Sequence, residues 1–336
     1  DCKKIAEKLD APVCNGYQHN DSFPGSHPLA VGPLGYNGSK AGMELISKAD
    51  VVLALGTRLN PFSTLPGYGI DYWPKDATII QVDMNPDRIG LTKKVTVGIC
   101  GDAKMVSQQI LEKLSSTAGD NGREERKNLI HKTKSAWLQT LTSLDHEDDD
   151  PGTVWNKEAR ERDSDRMSPR QAWRAIQAGM PEDAIISSDI GNNCAIGNAY
   201  PTFEKPRKYL APGLFGPCGY GFPSILGAKI GCPDTPVIGF AGDGAFGISM
   251  NEMSSCAREE WPAITMVIFR NYQWGAEKRN SILWFDDNFI GTELDPELSY
   301  AKVANACGLK GVAVKTMEET TAAIKQSCED QKKGIT

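Results

Sequence analysis

Residues 236–271 read PVIGFAGDGAFGISMNEMSSCAREEWPAITMVIFRN. Residues 236–241 are an apolar run broken by Gly242-Asp243-Gly244. Residues 246–259 read as a helix, and residues 264–269 form a second apolar run that ends at Arg270-Asn271. Short β-branched and aromatic runs with a helical stretch between them predict a strand–helix–strand unit. A right-handed crossover sets two such strands parallel, side by side or one strand apart. Asp243 and Asn271, 28 residues apart, then both stand just past strand C-termini at one sheet edge. The helix between them, starting near Ala245, aims free amides and its positive end at the same spot. Gly244 and Ala245 are small enough to let a ligand approach the backbone. Two hard oxygen ligands beside such a helix suit a diphosphate bridged to magnesium, which shares octahedral oxygen coordination with phosphates. Gly-Asp-Gly after a strand is by itself also what a tight turn looks like. The separation, with a full strand–helix–strand between, is the more specific signal.

Outward from this stretch the same alternation continues. Ser168-Pro169 is a helix start, with Ser as cap and Pro at the first helical position, and the helix runs to about residue 178. Residues 184–188 read as a strand ending in Asp189-Ile190-Gly191-Asn192. The glycine-rich stretch 213–221 leads into a helix over 223–230, and helices are expected over 297–307 and 317–329. Toward the N-terminus, a helix over 38–48 is followed by strands over 51–55, 77–82 and 95–99. A helix then opens at Gly101-Asp102-Ala103 and runs to about residue 114. A short strand is read at 11–13. Strands alternating with helices predict parallel sheets covered on both faces. The fold class is therefore α/β, with two doubly wound, mainly parallel-sheet domains. A Rossmann-like domain is expected over 1–115 and a diphosphate- and magnesium-binding domain over 167–336. Residues 116–166 carry an acidic run at 145–150 and a plausible helix over 127–141, and read as a charged linker crossing the surface. The first domain lacks GxGxxG, and no nucleotide is expected there.

Composition narrows the function classes. The chain has 336 residues, 40% hydrophobic and 24% charged, with formal net charge −6 and pI near 5.4. Nucleic-acid binding needs a basic face, and none is expected. The basic clusters at 123–127 and 278–279 are short and flanked by acids. No run of about 18 apolar residues exists, so no membrane span is expected. Nine cysteines are scattered without a CxxC pair, and none has zinc spacing with the four histidines. Reduced, mostly buried thiols in a cytoplasmic compartment are expected. Residues 3–9 already look like a helix in progress, and the last residues stop where a strand could begin. The reading is of a chain that starts and ends inside a larger protein.

The pairing of Gly242-Asp243-Gly244 with Asn271 resembles the signature of thiamine-diphosphate enzymes. The resemblance implies that the Asp243 and Asn271 side chains and the backbone carbonyl of Gln273 bind Mg2+. This chain has Arg270 where many relatives have a second asparagine, but the ligand is the position that Asn271 occupies. Asp189, Gly191 and Asn192 resemble the strand-end loop near the diphosphate. Gly216, Cys218 and Gly219, in Gly213-Leu214-Phe215-Gly216-Pro217-Cys218-Gly219-Tyr220-Gly221-Phe222-Pro223, resemble the loop supporting the cofactor's middle. Gly242, Gly244 and Ala245 complete the implied cofactor set. Cys218 stands where acetolactate-synthase-like members often carry a methionine that props the cofactor. It is either a smaller prop or a packing residue, and no basic partner marks it as a nucleophile.

Three further stretches, 16–28, 56–62 and 271–278, resemble a branch of the family that uses sulfoacetaldehyde and phosphate. What this implies is an acyltransferase that releases sulfite and acetyl phosphate, with the difficult carbon chemistry left to the cofactor. Both substrates are small anions, so a cationic lining is required. Lys278 and Arg279 are the local candidates, the alternative being a surface basic pair. No catalytic residue is expected within 1–336. The family's activating glutamate belongs to a pyrimidine-binding domain that nothing here matches, usually supplied in trans across a homodimer or homotetramer. Glu252 and Glu277 are not assigned that role, and His19 and His27 are expected to make local hydrogen bonds. The alternatives are a 2-oxoacid enzyme of the acetolactate synthase or pyruvate oxidase kind, or a non-catalytic binding subunit.

Overall fold

The structure is a computed structural model that describes residues 1–36, 38–114, 122–145, 167–213 and 215–336. The chain divides into two units, Asp1–Asp149 and Asp150–Thr336. Every pair of named strands is parallel, as the alternation predicts.

The first unit runs α1 (Cys2–Leu9), β1 (Val13–Asn15), β2 (Ala30–Pro33), α2 (Lys40–Ile46), β3 (Val51–Leu55), α3 (Pro61–Thr64), β4 (Thr78–Asp83), β5 (Val97–Cys100), α4 (Ala103–Leu114) and α5 (Arg123–Asp145). Strands β1 and β2 make one sheet, and β3-β4-β5 a second. Part of the expected linker belongs to this unit. In α5, Ile130 is buried with Ala6, Phe23, Val31 and Leu45. Arg123 reaches Asp10, the left-handed residue that ends α1, at 2.5 Å, and also bonds the Lys8 carbonyl at 3.0 Å. A basic, acid-flanked sequence thus conceals a docking face, because its basic side chains bond the end of α1 while Ile130 enters the core. The other parts of the expected linker, 116–121 and 146–166 with all of the acidic run beyond residue 145, lie outside the described residues, as does Leu214.

The second unit runs α6 (Pro169–Gly179), β6 (Ile185–Ser188), α7 (Asn192–Ala199), β7 (Tyr209–Leu210), α8 (Gly221–Gly231), β8 (Val237–Gly242), α9 (Asp243–Ser249), α10 (Met253–Cys256), β9 (Thr265–Phe269), α11 (Gly275–Trp284), α12 (Tyr300–Ala306) and α13 (Met317–Gln331). Ser168 and Gln171 close a capping box at the start of α6. The sheet order is β7-β6-β8-β9. Successive strand residues face opposite sides, and both sides are covered. Val237 and Ala241 join Phe222, Ile225 and Phe246 on one side, while Ile238 and Phe240 join Trp173, Ile176 and Ile324 on the other.

One expected helix is broken. The helix read over 246–259 starts at Asp243 and breaks into α9, a 3-10 turn at Met250–Glu252, and α10. Ser249, at the break, turns its hydroxyl to the Gly219 carbonyl at 3.0 Å. Among the described residues no helix is long and apolar enough to cross a membrane.

Candidate functional site

Strands β8 and β9 are neighbours, with Gly242 opposite Phe269. Of the two arrangements open to the sequence, the side-by-side one is realised. It delivers Asp243 and the segment 270–274 to one edge.

Asp243 is 2% exposed, and every oxygen near it is tied to the chain. Its Oδ1 accepts from Gly244 N at 3.1 Å. Its Oδ2 accepts from Asn271 N at 3.1 Å and Tyr272 N at 2.7 Å, and Tyr300 Oη donates to its carbonyl at 3.0 Å. Burial pushes the Asp243 carboxyl above its ordinary range, against the pull of these amides.

Asn271 is exposed, and its Oδ1 lies 2.9 Å from the Gln273 carbonyl oxygen and 3.1 Å from Asp243 Oδ1. With the amide oxygen turned to that side, three oxygens face one another. Octahedral magnesium binds oxygens at about 2.1 Å, which spaces neighbouring ligands about 3 Å apart. The residues present fit such an ion. Without a cation the favoured amide orientation is the reverse one, in which Nδ2 donates to both oxygens. Half a turn of one amide converts a closed, hydrogen-bonded loop into a three-oxygen set. Among the described residues no cluster of three His, Cys, Asp or Glu offers another metal site.

Gln273 pairs with Glu293 in an isolated antiparallel bridge, flanked by bonds from Trp274 N to Thr292 O at 2.8 Å and Leu294 N to Tyr272 O at 2.9 Å. In such a pair the central residue's own N–H and C=O point away from the partner segment. The Gln273 carbonyl is thereby turned toward Asn271.

Gly244 also has a packing part. A Cβ there would stand 2.8–2.9 Å from three carbons of the Trp274 indole. The bare backbone makes room for Trp274. Helix α9 has seven residues, so its dipole contribution is smaller than a long helix would give. Gly242 caps α9, and Ala245 is buried in its first turn.

Asp189 is 0% exposed at the end of β6. Its Oδ1 accepts from Ile190 N at 2.8 Å and Gly219 N at 3.0 Å, and its Oδ2 from Gly221 N at 2.7 Å. Burial again pushes the carboxyl up. The side chain is a strut that shapes the glycine-rich loop, where Gly219 takes φ +86°. Cys218 is exposed on this loop beside Phe215, which is 93% exposed. Partial burial, then the Asp189 and Glu277 carboxylates, push the Cys218 thiol up, which disfavours a nucleophilic thiolate. Gly216 holds φ +67° against Ile190. Gly191 caps α7, and the Asn192 and Asn271 amides both lie within 3.0 Å of where a Cβ on Gly275 would stand. The loops after β6 and β9 thus meet at Gly275.

Lys278 is committed to Glu293, at 2.6 Å. Arg279 is exposed and makes no ion pair among the described residues. Glu252 accepts bonds from its neighbours Asn251 and Ser255. In the first unit, His27 bonds Glu7 at 3.2 Å and accepts from Leu29 N at 3.2 Å, local contacts as expected. Sequence reasoning missed Tyr300, Trp274 and Glu293. Only Trp274, next to the candidate ligand Gln273, carried a positional hint.

Comparison with known proteins adds two family models. One, the C-terminal TPP binding domain of thiamine pyrophosphate enzymes, matches residues 189–336. The other, the central domain of those enzymes, matches residues 1–114. The chain is 79% identical over 99% of its length to a probable sulfoacetaldehyde acetyltransferase of Rhizobium meliloti strain 1021, and 75% identical to a sulfoacetaldehyde acetyltransferase of Roseovarius nubinhibens. It spans 56% and 55% of these relatives' lengths. A probable acetolactate synthase large subunit of Methanococcus aeolicus is 27% identical over 96% of the chain and is spanned to 52% of its length.

Proposed function

The chain belongs to the thiamine pyrophosphate enzymes, and we propose that within that family it forms the central and diphosphate-binding part of a sulfoacetaldehyde acetyltransferase. Sulfoacetaldehyde and phosphate are the proposed substrates, and acetyl phosphate and sulfite the products. The cofactors are thiamine diphosphate and Mg2+. The observation that carries the site is the convergence of the Asn271 side-chain amide on the Gln273 carbonyl, at 2.9 Å, and on Asp243 Oδ1, at 3.1 Å.

Thiamine diphosphate, when bound, supplies the nucleophilic carbon for the carbonyl chemistry. The chain's own residues bind and orient. Asp243, Asn271 and the Gln273 carbonyl would hold a cation that neutralises the diphosphate. Two backbone amides fix one Asp243 oxygen, so the other keeps its aim. Asp189 sets the Gly219–Gly221 backbone, which with Cys218 would support the middle of the cofactor. Asn192 lines the same edge. Arg279 is the proposed cation for the anionic substrates, since Lys278 is already paired.

The acetolactate synthase reading has less support, at 27% identity against 79%. The activating glutamate is proposed to come from the portion of the longer relatives that residues 1–336 do not match, within a homodimer or homotetramer. An exposed apolar ridge supports assembly: Leu283, Trp284, Phe285 and Ile290 are 58%, 76%, 64% and 79% exposed.

Calorimetric titration of thiamine diphosphate into the full-length protein, with Mg2+ and with EDTA, tests the site. Mg2+-dependent binding that disappears in Asp243→Ala is the expected result. Absence of binding to the folded wild type would overturn the reading. Sulfite release from sulfoacetaldehyde, compared with turnover of pyruvate, then tests the substrate.

A further inference from the structure

The loop that offers three oxygens turns on a residue poorly suited to turning. Tyr272 has φ +60°, the left-handed region that a side chain with Cβ disfavours. Such a conformation persists only where the surroundings enforce it. Its N–H is bonded to Asp243 Oδ2 at 2.7 Å and its carbonyl accepts from Leu294 N at 2.9 Å. The third restraint is a side chain. The Arg270 guanidinium carbon lies 4.4 Å from the centre of the Tyr272 ring, and Arg270 Nη2 donates to the Pro296 carbonyl at 2.6 Å. Arg270 is thus held at its tip by the segment after the Glu293 bridge, while its guanidinium carbon sits over the ring.

Arg270 and Tyr272 flank Asn271, so the stack closes over the residue whose amide faces Asp243. Released from it, Tyr272 could relax to an ordinary conformation. The peptide after it would rotate, and the Gln273 carbonyl would leave the other two oxygens. From this geometry we infer that the Arg270–Tyr272 stack is a positioning clamp for the cation site. Neither side chain is a proposed ligand, so both act through Asn271 and Gln273. The inference rests on the cation reading above. Lysine cannot substitute, because an ammonium has neither the plane that stacks nor the fork that reaches Pro296.

The test uses full-length protein with saturating thiamine diphosphate and Mn2+ as probe, the free ion being followed by electron paramagnetic resonance. Arg270→Ala and Arg270→Lys are each expected to raise the Mn2+ Kd about tenfold. Tyr272→Phe keeps the ring and is expected to stay within about twofold. Glycine takes φ +60° unaided, so in a Tyr272→Gly background Arg270→Ala should change the Kd by no more than about twofold. Wild-type affinity in both Arg270 variants would overturn the clamp. So would an Arg270→Ala loss of equal size in the Tyr272→Gly background, because the arginine would then act independently of the ring. Failure of the wild type to bind Mn2+ would instead overturn the cation site, and the clamp with it.

Discussion

Asp243 shows how one residue couples burial to ligand binding. Its carboxyl is held above its ordinary value of 3.8 by burial. A carboxyl raised by folding contributes stability at low pH, and that contribution is lost as pH rises past the folded value. The cation-free protein should therefore lose part of its acid-side stability on passing from the ordinary carboxylate range through the raised one. A cation needs the ionised carboxylate and restores the loss. The expected outcome is a melting-temperature gain from Mg2+ and thiamine diphosphate that is small in acid and grows above the raised value. A gain independent of pH from 4 to neutrality would remove Asp243 from the cation site. Gly244 gives a second prediction. Gly244→Ala places a methyl 2.8 Å from the Trp274 indole and should displace it, costing about 1–3 kcal/mol. A red shift of tryptophan emission together with a lower denaturation midpoint would show it. At this scale the sequence was readable where a residue's chemistry is its role. Asp243 and Asn271 were legible as oxygen-bearing side chains, at a separation that brings them to one sheet edge. The left-handed Tyr272 was not, because nothing in a tyrosine announces that conformation. Nor was Tyr300, which approaches Asp243 from 57 residues away.

The elements that carry the site are the ones the sequence announced most clearly. Residues 51–55 form β3 with the expected bounds, and β8 and β9 follow their apolar runs to within one residue. Strands covered on both faces are written as continuous apolar stretches. Helix α11 has no such mark: its apolar residues Ile282, Leu283 and Trp284 are all exposed and follow no helical period against a core. Strand β7 is too short to stand out, at two residues, and β2 (Ala30–Pro33) is interrupted by Gly32 and Pro33. The broken helix after β8 was hidden because Gly247, Ser249 and Asn251 still fit a helical pattern loosely. Helix α13 docks through buried Ile324 and Cys328 and through a polar residue, Gln331, which carries the prediction at this scale. Its amide donates to the Val237 carbonyl at 2.9 Å and to Thr265 Oγ1 at 2.8 Å, and its Oε1 accepts from Val237 N at 3.1 Å. Gln331→Ala strands buried backbone groups of β8 and should destabilise the second unit by about 3 kcal/mol. Urea denaturation with an unchanged slope would register this as a shift in midpoint.

Across the whole molecule the two units match two successive domains of one enzyme family, and the alternation of strands and helices disclosed both. Their relatives are nearly twice as long, since the chain spans 56% of the Rhizobium protein. We expect residues 1–336 alone to release no sulfite from sulfoacetaldehyde while still binding thiamine diphosphate and Mg2+. Turnover by this polypeptide unaided would show that the activating group lies within it. The two buried carboxylates have one more consequence. Asp243 and Asp189 take amides from Asn271, Tyr272, Gly219 and Gly221, all of which lie outside the sheet, Gly221 at the start of α8 and the others in loops. Loop amides normally trade their hydrogens for deuterium quickly, whereas these should trade as slowly as those of the central strands. A deuterium-uptake map of the ligand-free protein would then trace two slow islands in otherwise fast connecting segments, outlining the binding edge before any cofactor arrives.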